Sequence, residues 1–387
     1  MTTSSPRIIS AKLASINVPS HLHRSIEIKR LALAAGFDLA GIAGVGDTPE
    51  HHFFPQWIAD GHAGDMNYLE ARNEVGDLKR ASLANAAPWA RSVVVCALNY
   101  NTDQPYSTHA GTTSQGWISR YAWTQRDYHD VVLAKLRQFE SSFIALCEQA
   151  EIVTPRTWCY VDTGPVIERI FAKYAGIGWI GKNTCILNDE MGSWLFLGVM
   201  LTSLELVPHL PPPDRCGSCT RCLDACPTNA FPAPYQLDAT KCISYLTIEK
   251  RGAIPEELSA GIGRQVFGCD ICQDVCPWNR QVPLTKTPEF APRPQLVNPD
   301  LEWLACLSLD EFRQVFRGSP VKRAKHHGLL RNVAIAMGNS RDKRFLAALE
   351  ELCRHIDPVV GEAAEWALRQ IRSRPDSASD EQIVASE

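Results

Sequence analysis

The stretch Cys216-Gly-Ser-Cys219-Thr-Arg-Cys222-Leu-Asp-Ala-Cys226-Pro227 decides how the rest of the chain is read. Its cysteines are separated by two, two and three residues and a proline follows the last, which is the spacing of the bacterial ferredoxin run. In such a run three thiolates wrap one face of a [4Fe-4S] cube and the fourth is carried to a second cube, so one run requires a partner. The partner is Cys269, Cys272 and Cys276, followed by Pro277, with Cys242 between the two groups. Two cubes take eight cysteines, and the segment from Cys216 to Cys276 holds eight. We assign Cys216, Cys219, Cys222 and Cys276 to cluster one, and Cys226, Cys242, Cys269 and Cys272 to cluster two. Zinc knuckles use paired Cys-x₂-Cys with a long spacer, and four cysteines in one tight run do not suit a single tetrahedral site. Cys96, Cys147, Cys159, Cys185, Cys306 and Cys353 are scattered and read as small buried hydrophobes.

Outward from this segment, the 387 residues are long enough for two or three domains. Lys plus Arg is 39 against 43 Asp plus Glu, a net charge of −4, with 45% apolar residues, which is globular composition. That balance argues against wholesale coating of nucleic acid, although a local basic patch could still dock one. No run reaches the roughly 18 apolar residues of a membrane span. Met1 to Ser10 carries neither an apolar signal core nor a twin-arginine pair, so a cytoplasmic protein without a membrane partner is expected. Crowded cysteines in such a chain favour metal ligation over disulfides.

The first two hundred residues alternate apolar runs with helix-like stretches. Ile26 to Ala35 reads as a helix closed by Gly36, Ser92 to Leu98 and Trp194 to Leu201 as central strands, and Asp130 to Ala150 as a helix. The fold class is therefore α/β, with a domain over 1–210 that ends at the prolines following Leu210. A cluster-bearing domain over 211–290 follows. Arg331 to Gly338 and Glu362 to Ile371 are Ala-rich amphipathic helices about thirty residues apart, so 291–375 reads as a short HEAT-like pair, with a flexible tail over 376–387.

Cubes relay electrons but choose no substrate, so the chemistry is expected in residues 1–210. No Gly-x-Gly-x-x-Gly follows a strand and no Gly-x₄-Gly-Lys-Ser/Thr occurs, which leaves dinucleotide and triphosphate loops unsupported. Asp60-Gly-His62-Ala-Gly64 is one residue short of the Asp-x-His-x-x-Gly loop that gives some cobalamin enzymes a cobalt ligand. The densest polar and glycine-rich stretch is Val161-Asp162-Thr163-Gly164-Pro165, then Glu168-Arg169, then Gly176-Ile-Gly178-Trp-Ile-Gly181-Lys182-Asn183-Thr184. Gly176, Gly178 and Gly181 are expected to let backbone approach a bulky ligand, with Lys182, Asn183 and Thr184 beside it. Asp162 closes a short strand over Thr157 to Val161, where a turn would present it to a pocket. An Asx turn or helix cap explains the same aspartate locally.

YVDTGPVIER, AGIGWIGKNT, the cysteine run, CISYLTIE and GCDICQDVCPWN together resemble the epoxyqueuosine reductase family, in order and over about residues 25–372. The resemblance implies a nitroreductase-like cobalamin-binding domain, a ferredoxin-like domain with two [4Fe-4S] clusters feeding cobalt, and HEAT-like helices gripping tRNA. It makes Asp162 the proton donor and a cofactor contact, and matches Lys182, Asn183 and Thr184 to the loop lining the cobalamin. The implied reaction removes the epoxide oxygen of epoxyqueuosine in anticodon loops with G-U-N anticodons, giving queuosine and water. For this Asp162 must hold a proton well above its reference pKa of about 3.9, and burial is expected to raise it. An external donor such as a flavodoxin or ferredoxin, and a monomeric state, complete the expectation.

After Met66-Asn-Tyr68-Leu69 the family's usual arginine and Asp-Pro step are replaced by Gly76-Asp77-Leu78-Lys79-Arg80, leaving Arg72 or Arg80 as substitutes. Tyr121, Arg126 and Tyr128 are expected near the cofactor or substrate, or packed as an aromatic helix start. Lys322, Arg323, Lys325, His326, His327, Arg331, Arg341, Lys343 and Arg344, with Lys250 and Arg251, read as a phosphate-binding patch on the helical region. The rival readings are a reductive dehalogenase-like cobalamin enzyme and a plain cluster-bearing electron carrier.

Overall fold

The computed structural model describes residues 20–109 and 111–373. The polar start at Met1 to Ser10 and the tail over 376–387 lie outside the described residues. The valine-rich run Ser92–Asn99 forms a strand whose every residue is buried, which requires cover on both faces of its sheet. The sheet has four strands: β1 (Leu39–Ala43), β2 (Ser92–Asn99), β3 (Thr157–Tyr160) and β4 (Leu195–Thr202), in the order β1-β2-β4-β3. Every neighbouring pair is antiparallel, with Val95 opposite Val199 at the centre.

Helices α1 (Ser20–Ala34) and α3 (Tyr128–Gln149) cover one face, where Ile28, Val132, Leu136 and Phe139 meet Val94, Cys96 and Met200. The other face takes α4 (Glu168–Tyr174), whose Phe171 and Ala172 pack on Val93, Val95 and Val199. A Cβ at Gly41 of β1 would lie 1.9 Å from the Ala175 carbonyl oxygen, so strand and helix end touch backbone to backbone. Helix α2 (Pro49–Ala59) lies on the rim of this layer and contributes Phe53, Phe54 and Trp57 to the cleft described below.

The C-terminal helices α5 (Lys325–Ser340) and α6 (Pro358–Arg372) pack closely because Gly338 leaves room for Ala367, whose Cα is 2.7 Å from where a Cβ would stand. Their core takes in Val266 and Phe267 and, from far upstream, Trp117, Ile118 and Trp123. Trp117–Ile118 pairs in parallel with Gln265–Phe267, so Trp117, Ile118 and Trp123 belong to the core of the C-terminal half, while Tyr121 between them also packs on that of the sheet. The buried Asp270 carboxylate fixes this join by accepting from Trp117 Nε1 at 3.0 Å, the Arg120 amide at 2.7 Å and the Ser119 hydroxyl. No helix among the described residues is long and apolar enough to cross a membrane.

One cation expected on the surface is inside. Arg331 is 1% exposed and donates to the carbonyls of Leu246, Lys250 and Gly252, so it braces the cluster-bearing segment against α5 and is not available to phosphate. Replacing it leaves several buried acceptors unpaired. Arg331→Ala is therefore expected to lower stability by roughly 3 kcal/mol, read as a fall in Tm of the cluster-loaded protein. Because α5 packs on the 246–252 segment, that loss should appear without a change in the salt dependence of nucleic-acid binding.

Candidate functional site

A cleft of about 1550 Å³ opens between the sheet domain and the cluster-bearing segment. It exceeds the roughly 300–1,000 Å³ of ordinary small-molecule pockets. Phe53, Trp57, Met66, Leu69, Trp158 and Ile180 give it apolar walls, while Asp162, His129, Arg80, Glu168 and Thr184 supply its polar groups.

Asp162 follows β3 in the left-handed region, at φ +58°, a conformation that aspartate tolerates better than most residues. The turn leaves 68% of its side chain open to the cleft. Tyr128 Oη donates to Asp162 Oδ2 at 3.2 Å, and His129 Nε2 stands 3.7 Å from the same oxygen. The other nitrogen, His129 Nδ1, is 2.7 Å from Asp127 Oδ1, and Asp127 caps α3, which carries both rings. Burial opposes the charge on His129, but its two carboxylate neighbours push it up to about 9. In return His129, then Tyr128 and Arg169, hold the Asp162 carboxyl below the usual carboxylate range, against the desolvation imposed by the cleft walls. The elevation expected for Asp162 is thus reversed: at neutral pH the proton of this pair sits on the imidazole, directed at the carboxylate.

Glu168, at the start of α4, behaves in the opposite way. Burial first and the nearby Asp162 second push its carboxyl up to about 7. Its Oε1 is buried without a hydrogen-bond partner. Arg80 uses Nη1 on the Tyr68 carbonyl at 2.7 Å and Nη2 on the Gly164 carbonyl at 2.9 Å, tying the 68–80 loop to the Asp162 turn. Arg72 turns onto the Gly76 carbonyl instead. The Arg80 and Arg323 guanidiniums lie 5.8 and 5.5 Å from the Tyr68 ring centre, and Glu249 grips Arg323 with both oxygens at 2.9 and 2.8 Å.

The 181–187 loop divides its side chains between two tasks. Thr184 lines the cleft, and its carbonyl accepts from Arg169 at 3.1 Å. Lys182 does not reach the cleft wall: its Nζ donates to the Gly217 and Cys219 carbonyls at 2.7 and 2.9 Å. Asn183 likewise donates to the Cys272 carbonyl at 3.3 Å. The glycines expected to face a ligand face protein. A Cβ at Gly178 would meet the Leu187 carbonyl oxygen at 2.1 Å and one at Gly181 would meet Leu187 Cδ1 at 2.5 Å, so both glycines permit the Trp179–Leu187 hairpin to close. Gly176, at φ +76°, turns the chain after α4.

All eight cysteines of the 216–276 segment are free thiols. Cys276 interacts electrostatically with Cys222 and Cys216, and Cys269 with Cys242 and Cys226, while Cys272 joins Cys269 and Cys242. Of these cysteines Cys242 lines the cleft. The Ala230 amide points at Cys226 Sγ at 3.3 Å, the kind of contact that stabilises a thiolate. Cys96, Cys147 and Cys159 are core residues as expected, whereas Cys185 adjoins Cys272 and Cys306 is exposed.

Tyr121 and Tyr128 line the cleft, and Arg126 is exposed outside it. Of the expected basic patch, Lys322, Lys325 and Arg341 are exposed, Arg344 pairs with Glu302 at 2.8 Å, and Lys250 pairs with Asp65 at 3.1 Å. Sequence reasoning gave no role to His129, and it named Glu168 only as part of the polar stretch after Asp162. His129 carries a faint signal, since Asp127-Tyr-His129 combines a helix cap with a histidine two residues on.

A family model described as epoxyqueuosine reductase QueG, DUF1730, matches residues 80–163, and one described as a 4Fe-4S double cluster binding domain matches residues 215–279. An epoxyqueuosine reductase of Pseudomonas aeruginosa is 40% identical, over 91% of this chain and 95% of that protein. The chain belongs to the epoxyqueuosine reductase family. The Shewanella oneidensis epoxyqueuosine reductase is 38% identical over 90% of this chain and 88% of its own length. A crystal structure of epoxyqueuosine reductase with a tRNA-Tyr epoxyqueuosine-modified stem loop superposes with a TM-score of 0.77 at 33% identity, covering 89% of each chain. Against that family background the 215–279 match decides between cubes and zinc in favour of a double 4Fe-4S domain.

The raised His129 value has a measurable consequence. Its folded value of about 9 stands above the ordinary 6.5, so its contribution to stability is complete below about pH 6.5 and is lost as pH rises through 9. Chemical denaturation of the native protein and of His129→Gln should show a stability gap that is widest in mild acid and closes by about pH 9.

Proposed function

We propose that this protein is an epoxyqueuosine reductase acting on tRNA anticodon loops, with Asp162 delivering a proton to the epoxide oxygen. The observation that carries the reading is an aspartate open to a large cleft, with a charged imidazole behind it and a cluster cysteine, Cys242, on the same wall. The residues fit the two kinds of cofactor. Eight free thiols in two electrostatic groups are the donor set of two [4Fe-4S] clusters, with Cys216, Cys219, Cys222 and Cys276 holding one, and Cys226, Cys242, Cys269 and Cys272 the other. A cleft wider than a drug-sized pocket, with apolar walls and a few polar groups, suits a large flat ring such as that of cobalamin.

Cobalamin bound there would supply reducing electrons at a single metal atom beside the substrate. The chain's own residues do the rest. Cys242 makes the second cluster the one adjoining the cleft, which leaves the first as the entry for an external donor such as a flavodoxin or ferredoxin. Asp162 receives the proton held by His129 and passes it to the epoxide oxygen, while Asp127 and Tyr128 fix the geometry of that pair. An alkoxide is a poor leaving group, and protonation makes it leave as a hydroxyl. Thr184 and Arg169 shape the wall near Asp162; Lys182 and Asn183 act on the cysteine loops, so their part in holding the corrinoid is indirect. The finer assignments belong to the same proposal: a nitroreductase-like domain over 1–210, a ferredoxin-like one over 211–290, and HEAT-like helices over 291–375 that help grip the tRNA as a monomer in the cytoplasm.

Asp162→Asn should retain iron and corrinoid absorbance and lose about 10²-fold or more in epoxyqueuosine reduction, followed by mass spectrometry of tRNA nucleosides. Undiminished turnover would remove Asp162 from the mechanism. Lys322→Glu should weaken tRNA binding and reduce the salt slope by about one phosphate contact, measured by titration at several ionic strengths. Arg323 is a poorer choice for that test, because Glu249 and Tyr68 already hold it in place.

A further inference from the structure

Deoxygenation of an epoxide needs two protons. Both C–O bonds break, a C=C bond forms between the two carbons, two electrons arrive from the external donor through the clusters, and the oxygen leaves as water. The Asp127–His129–Asp162 line holds one transferable proton, on the imidazole. We propose that Glu168 is the second proton donor, protonating the hydroxyl made by the first transfer so that it departs as water. The inference rests on the reading of the cleft as an epoxyqueuosine reductase site.

Three observations place Glu168 in that role. It lines the same cleft as Asp162 and begins the helix that follows the Asp162 turn. Its Oε1 is buried with no hydrogen-bond partner, an arrangement far less costly for a carboxylic acid than for a carboxylate. The nearby cations act on it through charge and give it no hydrogen bond, for Arg80 donates to the Tyr68 and Gly164 carbonyls and Arg169 to that of Thr184, and burial together with Asp162 outweighs their pull. The remaining charged and titratable groups that face it are Asp162 from the turn and the Tyr160 hydroxyl from β3, itself buried and unpartnered, and neither supplies a positive charge. A value of about 7 for Glu168 is consistent with a group that carries its proton in mild acid and releases it near neutrality. Two neighbouring carboxyls driven in opposite directions by their surroundings are how one site holds an anion and an acid together.

The test uses the fully reconstituted protein and epoxyqueuosine-containing tRNA, with Glu168→Gln and Glu168→Asp beside the native chain. Iron content, corrinoid absorbance and tRNA affinity should match in all three. A required acid works below its pKa, so native activity should fall as pH rises through about 7, and again through about 9 as His129 deprotonates. Glu168→Gln should be slower by about 10²-fold and should lack the limb near 7, which Glu168→Asp should restore in part. A slower Glu168→Gln that keeps both limbs would reduce Glu168 to a structural part, and one with native rate and profile would overturn the proposal outright. Infrared difference spectra need no turnover: a protonated carboxyl band in mild acid, lost on approach to neutrality and missing in Glu168→Gln, is expected, and its absence from the native protein would equally overturn it. Inactivity of the native enzyme on this tRNA, with that band present, would count against the substrate reading and not against the protonated state of Glu168.

Discussion

Asp270 sits between two cysteines of the second cluster group, and its buried carboxylate is the constraint on which the arrangement of cleft and clusters depends. Its acceptors are filled by Trp117, Ser119 and Arg120, which come from a segment about 150 residues upstream. Leaving one member of such a buried hydrogen-bonded set unpaired typically costs about 1–3 kcal/mol, so the contact fixes a register and is not an incidental tether. From that anchor the chain runs through Arg120, whose guanidinium packs against Tyr106, Trp123 and Trp194 and caps the carbonyls of Thr102, Gln104 and Pro105. A few residues later it delivers Tyr128 and His129 to the cleft. The cysteine loops and the proton-bearing imidazole are therefore positioned by one continuous piece of buried polar structure.

The electrostatics of the cleft follow from where the paired charges end. Asp162 is open, turned left-handed and faced by a cation, and so stays ionised; Glu168 is enclosed, and its neighbouring arginines are occupied by carbonyls, and so tends to keep its proton. The difference does not lie in the residue types, since both are carboxylic acids six residues apart. It lies in what each one faces: His129 before Asp162, and burial with the Asp162 charge around Glu168. Arg80 illustrates the limit: with Nη1 and Nη2 on the carbonyls of Tyr68 and Gly164 it reaches Glu168 through charge alone, which burial outweighs.

Much of this was legible in the sequence because some constraints are local. Cysteine spacing states its own ligand chemistry, a solid valine run states a strand covered on both faces, and the motifs around Asp162 carried the family. The misreadings concern which way a side chain or a missing one faces once the chain has folded back on itself. Arg331 looked like a phosphate contact because it stands in a basic stretch, yet its helix turns it inward onto three carbonyls. Gly178 and Gly181 looked like ligand-facing residues, although the atoms they make room for belong to Leu187. The ionisation of Asp162 depends on a histidine 33 positions earlier, which no local pattern connects to it.

In the loop from Gly181 to Leu187 successive side chains act on different parts of the molecule. Lys182 and Asn183 brace the cysteine-bearing turns, and the next residue, Thr184, forms part of the wall that a bound molecule would touch. With no residue between the two duties there is no slack to absorb a disturbance. Damage to the iron sites, as by oxygen, would therefore be transmitted mechanically to the binding wall, so that a protein stripped of iron would also hold its corrinoid poorly and the two kinds of cofactor would be gained and lost together.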